Sequence, residues 1–275
     1  MNEWWWRNAT LLMERGFDVA TMQGSTVSTP DRGRIHVGCS GWVYKHWREI
    51  FYPEGLSQKR WFEHYSEQFD TVEINASFYR LPLPTTFDGW REKAPDGFCY
   101  AVKVNRFITH MKKLVDVGPS LEEFVDLARR VKHRLGPLLY QLPPGLKPDF
   151  ERLEAFLKLI PKDLTNVFEF RNKDWYVPEL YELLGRFGAS FCVHDMRGSQ
   201  TDRIAVGPVV YLRFHGGEGK YWGRYSDEAL ANWSGWILDQ SRSGRHVWCY
   251  FNNDILGHAI EDARMLRSML GQPVQ

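Results

Sequence analysis

Residues 71–75 read TVEIN, and the same alternation returns at 101–105 as AVKVN, at 167–171 as VFEFR and at 211–216 as YLRFHG. One parity is apolar: Val72 and Ile74, Val102 and Val104, Phe168 and Phe170, Leu212 and Phe214. The other carries chemistry: Glu73 and Asn75, Lys103 and Asn105, Glu169 and Arg171, Arg213 and His215. Successive side chains of a strand point to opposite faces, so each segment predicts a strand with one apolar and one polar side. Purely structural parallel strands read as nearly continuous apolar runs, because helices cover them. The apolar parity must then lie under helices, and the polar parity must face the inside of a barrel.

Working outward, the chain supplies the remaining strands. Short β-branched or aromatic runs recur as IHVGCSG (35–41), CYAVKVN (99–105), PLLYQLP (137–143), NVFEFR (166–171), SFCVHD (190–195), VVYLRFHG (209–216) and HVWCYFNN (246–253). Helical patterns sit between them at 120–136, 149–160, 177–188, 226–240 and 258–270. In the first of these, Ser120 and Glu123 have the spacing of a capping box. Eight strands with connections too long for hairpins suit right-handed βαβ crossovers. The expected fold is α/β, a single (β/α)₈ TIM-type barrel over residues 34–275, with residues 1–33 as a short N-terminal extension and linker. A doubly wound sheet would call for a glycine-rich phosphate turn after the first strand, and GCSGW (38–42) is not one.

Composition narrows the function. Of 275 residues, 43% are hydrophobic and 25% charged, which excludes a disordered or collagen-like chain. Lys and Arg number 35 against 34 Asp and Glu, so nothing draws the whole chain toward nucleic acid or anionic membrane. No apolar run is long enough for a membrane span. Residues 1–33 lack the basic lead and apolar stretch of a signal peptide. The cysteines, Cys39, Cys99, Cys192 and Cys249, are 60, 93 and 57 residues apart, the spacing of reduced thiols in a cytoplasmic protein.

Each polar pair falls at the C-terminal end of its strand, where barrel enzymes keep their sites. Gln141, His194, Asp195, Asn252, Asn253 and Asp254 end other strands. Glu73, Glu169, Lys103 and His215 are the catalytic candidates, the two glutamates as acid and base. Arg171, Arg213 and Lys103 suit an anion, and Asn75, His110, Gln141, Asn252 and Asn253 would orient a small anionic or polyhydroxylated substrate. The sequence identifies no cofactor. Glu73, Glu169, His194, Asp195 and His215 are also competent metal ligands, so a metal-dependent phosphodiesterase or endonuclease-like barrel is one alternative. Basic residues interleave with nearly every carboxylate, which speaks against a metal. A non-enzymatic nucleic-acid or protein adaptor is the other. Trp42, Tyr44 and Trp47 either stack on a ligand or close the rim. Residues 216–225, GGEGKYWGRY, combine four glycines, three rings and two cations. They are expected to close over the site and bring Lys220, Arg224 or Tyr225 to an anion held by Arg213.

Several motifs resemble the YecE-like family, a domain of unknown function: GCSGWxYxxW (38–47), FYP (51–53), TVEINASFYRLP (71–82), VKVNRFITH (102–110), GPLLYQLPP (136–144), EFRNKDW (169–175), RFHG (213–216) and YFNND (250–254). The resemblance implies a TIM-type barrel and no established reaction. Its signature residues fall on Glu73, Asn75, Lys103, His110, Gln141, Glu169, Arg171, Arg213, His215, Asn252 and Asn253.

Overall fold

A computed structural model describes residues 31–219 and 221–273; residues 1–30, with the expected extension and most of the linker, lie outside it. Parallel strands pair in chain order and close on themselves: β1 (Ile35–Cys39), β2 (Thr71–Ile74), β3 (Cys99–Lys103), β4 (Leu135–Leu142), β5 (Asn166–Phe170), β6 (Ser190–Asp195), β7 (Val209–Phe214) and β8 (His246–Phe251). Helices connect them: α1 (Trp61–Gln68), α2 (Ala76–Tyr79), α3 (Pro84–Lys93), α4 (Gly118–Arg129), α5 (Phe150–Leu157), α6 (Pro178–Arg186), α7 (Asp227–Arg242) and α8 (His258–Met269). The expected TIM-type barrel is the fold found. Among the described residues only β6 reaches the next strand without a helix, through residues 196–208. The capping box does not form: α4 starts at Gly118 with Pro119 in its first turn, which leaves Ser120 inside the helix. Proline's fixed φ suits that position and starts the helix early. No helix among the described residues is long and apolar enough to cross a membrane.

The apolar parity does pack outward. Val72, Ile74, Val102, Phe168, Phe170, Leu212 and Phe214 are buried in one core with Phe124, Leu153, Leu184, Leu230 and Leu266 from the helices. Inside the barrel a separate cluster of Ala101, Leu139, Val167, Cys192, Tyr211, Trp248 and Tyr250 fills the lower half. Trp248 stacks on His36 with centroids 4.1 Å apart, Tyr211 lies 5.2 Å from Tyr250, and the Tyr250 hydroxyl meets Thr71 Oγ1 at 2.7 Å. These rings floor the polar layers above.

One seam is closed by a side chain. β1 and β2 share only the register pair Cys39 and Val72. Below it, the hydroxyl of Tyr65 on α1 accepts from the Cys39 amide at 2.8 Å and donates to the Thr71 carbonyl at 3.0 Å. Gly38 makes room for it: a Cβ there would sit 2.2 Å from the Thr71 carbonyl oxygen and 2.9 Å from that hydroxyl.

Candidate functional site

The polar parity turns inward, and the strand ends carry it to one mouth. Deepest is a chain of alternating charge. Arg213 Nη1 donates to Glu169 Oε2 at 2.6 Å and Nη2 to Glu73 Oε1 at 2.8 Å, with all three residues buried. Glu73 has further donors: Ser40 Oγ at 2.9 Å and Asn75 Nδ2 at 3.2 Å on Oε1, and the Tyr211 hydroxyl at 2.7 Å on Oε2. Burial pushes the Glu73 carboxyl up, but Arg213, Lys103 and the hydrogen bonds from Tyr211 and Arg213 outweigh it and hold the group below its usual range. Such a carboxylate keeps its charge and anchors the layer.

Glu169 is tied on its other oxygen too. Oε1 lies 2.7 Å from Arg171 Nη2, and 3.7 and 3.8 Å from His215 Nε2 and His194 Nδ1. Burial again works against ionisation, and Arg171 and Arg213 overcome it, holding Glu169 well below the carboxylate range. Burial drives both histidines down, His194 to about 4 and His215 well below its ordinary range, so both are neutral at pH 7. Their contacts with Glu169 are therefore dipolar. His215 Nε2 is 2.9 Å from Arg171 Nη2, a group that can only donate. Asn252 Nδ2 lies 3.2 Å from Nδ1, so donors face both ring nitrogens and the neutral ring accepts from only one of them. Arg171 is poorly used in return: Nη1 faces the Met196 sulfur at 2.9 Å, and Nε finds no acceptor among the described residues.

Lys103 stands apart. Its residue is only 7% exposed, yet no carboxylate of the described residues pairs with it, and Nζ lies 4.1 Å from the centroid of the Phe78 ring. Burial and then Arg213 pull its pKa down to about 7, against the pull of Glu169 and Glu73. His110 meets the same ring edge-on at 4.9 Å and bonds Thr109 Oγ1 at 2.9 Å. Burial, then Lys103 and Arg106, hold it near 4. Gln141 is half-buried beside Glu169 in register, with no side-chain hydrogen bond to the described residues. Beside Asn105 a cavity of about 440 Å³ opens to the rim, lined by Tyr79, Arg80, Phe107 and Met111.

The structure thus brings together Glu73, Asn75, Lys103, His110, Gln141, Glu169, Arg171, Arg213, His215 and Asn252. Three residues are placed otherwise than expected. Arg213 turns both Nη atoms to glutamates, which leaves only its Nε without an acceptor among the described residues. Asn253 points away from the mouth: its Nδ2 donates to Asp262 Oδ2 at 2.8 Å and to the Gly223 carbonyl at 2.9 Å. Tyr225 is 5% exposed, its hydroxyl 3.3 Å from the Asp195 carbonyl and its amide 3.1 Å from Asp262 Oδ2.

The loop after β7 is accordingly pinned. Arg224 turns to Glu261 and Asp262 at 3.2 and 3.4 Å, and Lys220 lies outside the described residues. Its glycines serve close approach: a Cβ at Gly216 would stand 2.2 Å from the Trp222 carbonyl oxygen, and one at Gly217 2.5 Å from that of Arg224. The aromatic residues after β1 close the rim. Trp47 is fully buried with Nε1 donating to the Asp254 carbonyl at 2.8 Å, and Tyr44 donates to the Ser40 carbonyl at 2.5 Å. Trp42 packs edge-on against Phe62. Sequence reasoning passed over Tyr211, Phe78 and Met196. Tyr211 shares the parity of Arg213 and was findable; Phe78 on α2 and Met196 in the connection after β6 lie beyond their strands and were not. Among the described residues no group of three His, Cys, Asp or Glu is placed to hold a metal ion. The described cysteines are free thiols.

Comparison with known proteins places the chain. Residues 36–275 match the family described as "Protein of unknown function DUF72". The UPF0759 protein YunF of Bacillus subtilis (strain 168) is 26% identical over 273 residues, covering 86% of this chain and 94% of YunF. The UPF0759 protein YecE of Escherichia coli (strain K12) is 27% identical over 143 residues, 52% of this chain and 50% of YecE. The crystal structure of a DUF72 family protein (TM1631) from Thermotoga maritima superposes with a TM-score of 0.79 at 29% identity, covering 87% of this chain and 100% of that one. The motifs, the barrel and these matches agree, and the chain belongs to the DUF72 family.

Proposed function

We propose that this protein is an enzyme that works on a small anionic or sugar-like metabolite by acid–base chemistry at the C-terminal mouth of the barrel. One observation carries the proposal: Lys103 is enclosed at the mouth without a carboxylate partner, and its pKa is brought to about 7. A group near the working pH is present in both protonation states, which general acid–base catalysis needs. Glu73 and Glu169, the acid and base expected from sequence, serve instead as fixed charges that hold Arg213 and Arg171 in place. Arg171 binds the anion, through an Nε with no acceptor and an Nη1 that faces only a thioether. Gln141, with its uncommitted amide, orients the rest of the substrate, and Asn75 and Asn252 stand half-buried beside it.

A divalent cation at Glu73 and Glu169 would first have to displace Arg213 from both carboxylates. Neither a metal-dependent phosphodiesterase nor an adaptor accounts for a lysine kept near neutrality in the mouth. The test is a thermal-shift panel of small carboxylates, phosphates and sugar phosphates. At least one compound should raise the melting temperature of the wild type and not of Arg171→Gln. Turnover of that compound should titrate near pH 7 and vanish in Lys103→Met. Panel hits indifferent to both substitutions would sink the assignment.

A further inference from the structure

We propose that Lys103 Nζ is a nucleophile that condenses with the carbonyl carbon of a small anionic carbonyl compound, whose carboxylate or phosphate is taken by Arg171. The inference rests on the acid–base reading of the same mouth but adds a covalent step to it. The geometry around the amine favours attack over mere proton storage. A lysine that serves as a fixed cation is normally held by carboxylates, whereas this one meets the face of Phe78 at 4.1 Å and no carboxylate among the described residues. No ion pair therefore fixes the proton on it, and the Phe78 face gives the ammonium form only a cation–π contact. The two guanidinium groups nearby repel the ammonium form, and burial does the same, a combination that keeps an amine available as a nucleophile at neutral pH.

The second half of the ligand is specified by Arg171. Its side chain is 7% exposed, and its Nε has no acceptor among the described residues. A buried guanidinium donor left without an acceptor is costly, and a carboxylate or phosphate oxygen is its natural complement. The reaction balances without any further reagent. The neutral amine forms a C–N bond to the carbonyl carbon while the carbonyl oxygen takes a proton, giving a carbinolamine. Nitrogen then gives up its remaining proton, the hydroxyl oxygen gains one, and the C–O bond breaks to release water and leave an imine. His110, neutral at pH 7, meets the same Phe78 ring edge-on, which puts an imidazole on the ring that carries the amine.

The experiment is borohydride trapping on the full-length chain with two probes, pyruvate for the carboxylate class and dihydroxyacetone phosphate for the phosphate class, read by peptide mass spectrometry. A reduced adduct on the peptide holding Lys103 is expected with at least one probe, and the probe that traps names the anionic group. Lys103→Arg, which keeps the charge and the bulk, should lose it. Arg171→Gln should keep the adduct but need about tenfold more probe or greater, the loss of one charge-assisted contact. No adduct with either probe, or labelling spread evenly over surface lysines, overturns the imine. Reductive methylation of Lys103 against pH separates the two levels. An inflection near pH 7 without trapping defeats the covalent step and leaves acid–base work standing; no inflection defeats both.

Discussion

Arg213 and Glu73 lie 140 positions apart in the chain and 2.8 Å apart in the barrel. With Glu169 on its other arm, Arg213 is, among the described residues, the sole strap between two buried carboxylates on β2 and β5. Removing one member of a buried ionic group strands the rest, a cost of about 3–5 kcal/mol. Urea unfolding of Arg213→Met should show a loss of that size. A loss under about 1 kcal/mol would mean that water already screens the layer.

Lys103 makes the opposite prediction. Its folded value of about 7 lies below the ordinary 10.5, so between these values the unfolded chain binds more protons than the folded one. Stability of the wild type should therefore rise with pH across that window, by at most about 1.4 kcal/mol per pH unit. Lys103→Met removes a buried charge and should be more stable than wild type below pH 7, the advantage shrinking toward pH 10.5. A constant difference from pH 6 to pH 10 would contradict a depressed lysine.

Tyr65→Phe isolates the seam between β1 and β2. The substitution keeps the ring and strips the Cys39 amide and the Thr71 carbonyl of their shared partner. Two unsatisfied backbone groups should cost ~2–4 kcal/mol. Hydrogen exchange at the Cys39 amide should accelerate ahead of its neighbours in β8; unchanged exchange there would show that another group takes over.

Asp262 holds the loop after β7 through Asn253, Arg224 and the Tyr225 amide. Asp262→Ala should raise hydrogen exchange across residues 216–225 and lower stability by ~1–3 kcal/mol. In the wild type the Tyr225 amide should exchange slowly with or without a ligand. A segment that becomes protected only on ligand binding would restore a closing lid.

Parity in four strands was enough to read the barrel and to say which side chains enter it, because a period of two is set by the backbone. Parity also held information that was not used. Trp248 and Tyr250 face inward, so Asn252 must as well, and the adjacent Asn253 must point the other way. What parity cannot supply is distance. That Arg213 faces inward was legible; that two glutamates would consume it depends on how the barrel staggers its strands. The loop after β7 is open to two readings for a similar reason. Glycine permits movement and close approach alike, and only the neighbours of Gly216 and Gly217 distinguish the two.

The aromatic floor of Trp248, His36, Tyr211 and Tyr250 turns the interior into a cup. A pipe would let reactant enter at one end and product leave by the other. A cup has a single doorway, so arrival and departure take turns, and whatever lingers in the mouth excludes the next molecule. For any reaction that joins two partners there, the order is imposed by depth: the one that reaches Lys103 must enter first, and the one that stays at the rim must come second and leave first.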